Sequence, residues 1–105
     1  MKNYNEILAE NLDVTIGNFQ VIEHDYYDET RLEVTVKNKG SKTSSFSVKI
    51  EAVDVDGYRL GTDTIYVSDL GAGQKQKFDV FQYVPSDERA KYKNATFKVV
   101  EASKY

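Results

Sequence analysis

The sequence predicts an all-β protein, a single antiparallel sandwich of six to seven strands. Three observations lead there. Apolar and polar residues alternate with period two along most of the chain, which sends successive side chains to opposite faces of a strand. Turn signals ("YYDET", "NKGSKT", "DVDG", "LGAGQ", "VPSDERAKYKN") punctuate the chain at intervals of about 8–12 residues, the spacing of antiparallel sandwiches and barrels. Helical patterning is confined to the N-terminus and to a turn at 85–93.

The elements follow in order. Residues 1–12 read as a tail or short helix, in which "YNEILAENL" offers Ile7, Leu8 and Leu12 as an apolar face too short to be stable without packing. The sandwich is expected to span 13–105. In "VTIGNFQVIEH", Gly17 and Asn18 separate Val14–Ile16 from Phe19–Ile22, so a split first strand that switches sheets is expected. "TRLEVTVKN" turns Leu32, Val34 and Val36 to one face, and "SFSVKIEA" does the same with Phe46, Val48, Ile50 and Ala52. A further strand is placed around Thr62–Val67. "KQKFDVFQYV" sets Gln76, Phe78 and Val80 together, then loses its alternation after Phe81, so that Tyr83 and Val84 mark a bulge or a change of sheet. Pro85, early acids and late lysines suit one helical turn. "ATFKVVEA" closes the set, and the expected core is Leu32, Val34, Val36, Phe46, Val48, Ile50, Phe78, Val80, Phe97 and Val99.

Composition narrows the function classes. A chain of 105 residues is the size of one domain and can hide roughly 65% of its extended surface without staples. Fourteen Lys and Arg are interspersed among seventeen Asp and Glu, for a net charge of −3. Nucleic acid is not expected as a partner, since it needs a concentrated positive stripe. With no cysteine, disulfides, thiolate zinc sites and cysteine nucleophiles are excluded. The N-terminus shows no signal-peptide pattern, and no run approaches the ~20 apolar residues of a membrane helix, so direct membrane insertion is not expected. The compartment stays open. A chain starting after a removed signal or anchor segment would be extracytoplasmic, and otherwise cytoplasmic.

The motifs with chemical potential are few. In "AVDVDGYRLGTD" the aspartates suggest a calcium loop, which needs oxygen ligands at positions 1, 3 and 5, glycine at 6 and glutamate at 12. Counting from Asp54, Asp56 falls at 3, but Tyr58, Arg59 and Ile65 stand at 5, 6 and 12. Asp56-Gly57 is instead the signature of a two-residue type I′ hairpin, with Val55 opposite Tyr58 and Asp54 opposite Arg59. His24, the single histidine, sits beside Glu23, Asp25 and Asp28 with no second histidine or hydroxyl at a recognisable spacing. Asp25, Asp28 and Glu29 with Asp54, Asp56 and Asp63 would chelate only if two loops met. No catalytic or phosphate-binding motif is present. Neither a metal nor a cofactor is expected, and the chain is not expected to be an enzyme. Eight tyrosines are the compositional excess. Tyr26, Tyr27, Tyr58 and Tyr66 fall in or beside turns, where rigid rings contribute contact area at low entropic cost.

Residues 31–80 resemble the FxLYD-type and CARDB-type families of immunoglobulin-like modules. The likeness rests on V-x-V-x-N-x-G at Val34, Val36, Asn38 and Gly40, a strand ending in D-x-D-G, and L-x-A-G with a following phenylalanine at Leu70, Ala72, Gly73 and Phe78. A clear F-x-L-Y-D signature is lacking. The resemblance implies an immunoglobulin-like antiparallel β-sandwich of about seven strands in a bacterial envelope or cell-surface protein, without catalytic residues. The expected function is a non-catalytic interaction or spacer module, monomeric, that contacts a protein or cell-surface polymer through Tyr26, Tyr27, Asp56 and Tyr58. The alternative is a carbohydrate-binding module using loop tyrosines, which would need Tyr27, Tyr58 and Tyr66 on one plane.

Overall fold

A computed structural model describes residues 4–105. The order of elements is α1 (Tyr4–Glu10), β1 (Leu12–Glu23), β2 (Asp28–Asn38), β3 (Ser44–Val53), β4 (Arg59–Leu70), β5 (Lys75–Val80), α2 (Arg89–Lys93) and β6 (Thr96–Lys104). The strands form two three-stranded antiparallel sheets, β1-β2-β5 and β4-β3-β6. The protein is an all-β sandwich of six strands. In immunoglobulin terms the sheets correspond to A-B-E and C′-C-F. A seventh strand was expected because the chain breaks at Gly17-Asn18. That break is a bulge inside β1, where the register to β2 shifts between Ile16 and Phe19, and the strand stays in one sheet. Gly17 passes so close to β2 that a Cβ there would lie 3.2 Å from the Glu33 carbonyl oxygen.

Alternation decides which face is buried. Leu32, Val34 and Val36 of β2 and Phe46, Val48 and Ile50 of β3 are fully enclosed between the sheets, joined by Val80. Phe78, Phe97 and Val99, also expected inside, are only partly covered. The rest of the core comes from Leu12, Ile65, Val67, Leu70 and Ala102, with Ile7 of α1 packed against it. Leu12 is the first residue of β1 rather than part of the helix face.

Past Val80 the chain neither bulges nor changes sheet. Phe81 takes a left-handed backbone, φ 54°, and is held there by two side chains. The Asp63 carboxylate accepts the Phe81 N–H at 2.9 Å. The Thr30 hydroxyl donates to the Phe81 carbonyl at 2.8 Å and accepts from the Val84 N–H at 3.1 Å. The turn leads into α2, whose Tyr92 is buried against Phe19 and Phe81, each ring centroid 5.5 Å away. Phe97 stacks on the same group, 5.6 Å from Phe81. These rings, from β1, the β5–β6 connection and β6, close one end of the sandwich.

Asn38 closes the other end. It is 1% exposed. Its amide donates to the Lys42 and Leu70 carbonyls, both at 2.8 Å, and its side-chain oxygen accepts the Gly40 N–H at 2.9 Å. Its backbone bonds Gln74 and Gly73, the latter at φ 78°. The motif residues Asn38, Gly40, Leu70 and Gly73 therefore form one structural lock joining the β2–β3 and β4–β5 connections.

Candidate functional site

The end closed by the aromatic rings carries three exposed connections. β2 starts there, and β3 and β5 finish there, so the β1–β2 turn, the β3–β4 turn and the β5–α2 loop share it. The first turn is closed by the His24 N–H donating to the Tyr27 carbonyl. The His24 ring stacks on Tyr27 at 4.5 Å and lies 3.3 Å from the Glu29 carboxylate.

The second turn differs from the expected two-residue type. Asp54 N–H donates to the Tyr58 carbonyl and Gly57 N–H to the Asp54 carbonyl, leaving Val55, Asp56 and Gly57 as a three-residue loop. Gly57 alone has positive φ, at 92°, the arrangement of a turn followed by a glycine bulge. The cause is the Asp54 carboxylate, which accepts the N–H groups of both Asp56 and Tyr58 at 2.9 Å. An aspartate that caps its own turn favours this geometry over the mirror-image turn. The register moves with it. Arg59 sits opposite Val53 and reaches Glu51 at 2.8 Å, not Asp54.

Tyr26, Tyr27, Val55 and Tyr58 are exposed at this end, and Tyr83 joins them at 94% exposure. Tyr83 was not among the expected contact residues, because the sequence placed it with Val84 at a bulge or change of sheet. Its signal is the Pro85 two residues on, which ends pairing. Asp25, Asp56 and Asp87 are exposed around these rings, with no ion pair among the described residues. Asp28 by contrast is bound by Arg89 at 2.7 Å. The structure thus gathers Tyr26, Tyr27, Asp56 and Tyr58 at one end. No hydrogen bond, ion pair or ring contact among the described residues links the 24–27 turn to the 54–58 turn.

Tyr66 lies elsewhere, exposed on β4 opposite Ser47, whereas Tyr27 and Tyr58 stand at the two turns. Ser47 stands opposite both Tyr66 and Ser103, and Lys49 opposite Thr64 and Glu101. Tyr105 completes the group, its hydroxyl 3.1 Å from that of Ser47. Both rings are exposed and flank a shallow depression of about 240 Å³.

Of the six carboxylates that would chelate if two loops met, Asp28, Glu29, Asp54 and Asp63 are engaged within the chain. Asp54 and Asp63 hold backbone N–H groups, and among the described residues no group of three or more His, Asp or Glu is placed to hold a metal ion. Among those residues, no helix is long and apolar enough to cross a membrane.

No protein-family model matches the sequence, and no curated protein does. The fold is similar to the crystal structure of a DUF1425 family member from Shewanella sp. pv-4. The two are 11% identical, with a TM-score of 0.44, over 88% of this chain and 76% of that one. A likeness so loose transfers no residue role.

Proposed function

We propose that this chain is a non-catalytic binding module that holds a protein partner at its ring-closed end. The observation that carries this is the concentration of Tyr26, Tyr27, Val55, Tyr58 and Tyr83, all exposed, on three connections at one end of a rigid sandwich. Rings on loops anchored by a scaffold supply contact area with little entropy to lose. The exposed Asp25, Asp56 and Asp87 favour a partner surface bearing lysine or arginine. His24 supports a positioning role over catalysis, since it is stacked and bonded to Glu29 with no nucleophile in reach. The likeness to FxLYD and CARDB modules favours an envelope-associated bacterial setting. Asn38, Gly40, Leu70 and Gly73 of its motif sit at the Asn38 end, while its D-x-D-G forms the 54–57 turn at the proposed binding end.

The test is a Tyr27→Ala, Tyr58→Ala, Tyr83→Ala variant titrated against the partner isolated from the native host on the wild-type chain. Unchanged circular dichroism with affinity weakened at least about tenfold, or about 1.4 kcal/mol, supports the loop end. Retained affinity rejects it.

A second reading rests on Tyr66 and Tyr105, whose exposed rings flank Ser47, Lys49, Thr64 and Glu101 on a flat sheet face. Aromatic rings with hydroxyl and charged neighbours suit a polysaccharide chain. Loss of polysaccharide retention in a Tyr66→Ala, Tyr105→Ala variant, with the loop variant unaffected, would favour this face.

A further inference from the structure

The sandwich is closed unevenly. The partly buried hydrophobic residues packed against its core, apart from Leu60 and Phe78, belong to α1, β1, β6 or the residue leading into β6. They line one seam, where the β1 edge of one sheet meets the β6 edge of the other. α1 packs against both strands of this seam, inserting Ile7 beside the Leu12 end. Toward the other end the two strands are bridged by the stacked rings of Phe19 and Phe97, centroids 6.2 Å apart. A depression of about 480 Å³ lies there between Ile16, Phe19, Ala95 and Phe97, with Lys93 on its rim.

We propose that this seam receives an extended segment of another protein, which pairs with the free edge of β6 along Thr96–Val99. Among the described residues β6 is hydrogen-bonded to β3 alone, so its second edge offers unpaired backbone groups. A strand laid on that edge sends every second side chain into the seam, where the apolar walls of Ile16, Phe19 and Phe97 accept them. β1 offers a less regular edge at this place, because its bulge between Ile16 and Phe19 falls at the depression itself. The other edge strands, β4 and β5, pack against one another, with Leu60 and Phe78 partly buried between them and the core.

Charge identifies the partner. Lys93 makes no ion pair among the described residues, and Lys98, on the outer face, is 3.9 Å from Glu51. A segment alternating apolar with acidic residues meets both lysines while filling the seam. A second copy of this chain fits worse. Val100 is an extra residue in β6, between Glu101 opposite Lys49 and Val99 opposite Ile50, so the regular edge is confined to Thr96–Val99. Antiparallel pairing of two copies over so short a stretch brings Lys98 beside its counterpart, and like charges at that distance repel.

The probe is a blocked synthetic heptapeptide alternating valine and glutamate, with the valine–lysine peptide as control, added to isotope-labelled chain and followed by amide shifts and hydrogen exchange. The expected result is saturable shifts and slowed exchange confined to Thr96–Val99, Ile16–Phe19 and Ala95, with the lysine peptide weaker. Lys93→Glu, an exposed change, should weaken the glutamate peptide about fivefold, near 1 kcal/mol, and strengthen the lysine peptide. The proposal is overturned by equal affinity for the two peptides, by shifts centred on β4 or β5, by no binding at millimolar peptide, or by concentration-dependent shifts at β6 without peptide, which would make a second copy the occupant.

Discussion

Asn38 shows how much a single side chain can hold. Its amide and carbonyl satisfy three backbone groups from two connections in a site closed to water. Replacing it with alanine leaves the Leu70 carbonyl buried without a donor, which costs about 1–3 kcal/mol for that group alone. Asn38→Asp should be comparably damaging, because the carboxylate has no N–H to give and repels both carbonyls. Urea midpoints measure this, and a parent-like midpoint for either variant would show that water replaces the amide. Gly57 acts by conformation instead. A Cβ there would meet nothing within 4 Å, yet φ is 92°, so Gly57→Val should lose about 1–2 kcal/mol through backbone strain. Gly57→Asn, which tolerates positive φ better, should lose less. Equal losses would mean the loop adopts another turn without glycine. The Asp-Gly signal was legible in the sequence as a turn. Its type was not, since the choice rests on where the Asp54 carboxylate points.

The strands with clean alternation, β2 and β3, were readable because both are central, with neighbours on each side and one face fully buried. β1 and β6 are edge strands with bulges. Phe97 and Val99 face inward opposite Ala52 and Ile50, as the alternation implies, but their place at the sheet edge leaves them half-covered. α2 was visible from its charges, but the role of Tyr92 was not, because a lone tyrosine in a polar helix carries no pattern. Burial and the nearby Glu88 carboxylate both hold the Tyr92 hydroxyl above its usual value of 10.0. The neutral phenol is thus favoured in the folded protein, while the unfolded chain ionises near the ordinary value. The resulting stability is intact below pH 10 and is lost as pH rises from there toward the folded-state value. Denaturation midpoints of the parent should accordingly fall across that alkaline window more steeply than those of Tyr92→Phe. Parallel slopes would show that the hydroxyl ionises without unfolding.

At the scale of the molecule, neither sheet is a continuous piece of chain. β5 joins β2 only after β3 and β4 have gone to the opposite sheet, and β6 joins β3 only after β5 has returned. Each sheet therefore completes itself through a connection that crosses the other. The two ends reinforce this coupling. Asn38 ties the β2–β3 and β4–β5 connections, and the rings of Phe19, Phe81, Tyr92 and Phe97 join both sheets to α2. A single sheet parted from its partner exposes its whole apolar face to water and loses the burial that stabilises it, so partial unfolding into one intact sheet is unfavourable. Unfolding should be a single transition, with near-ultraviolet circular dichroism of the ring cluster and far-ultraviolet circular dichroism of the strands giving the same urea midpoint. Refolding should take about milliseconds to seconds, because every sheet needs pairing between distant segments. An earlier loss of the near-ultraviolet signal would show that the ring-closed end opens separately. The rigid platform required for binding by its loops would then be absent, and the binding function proposed for that end would have to be abandoned along with the cooperative fold.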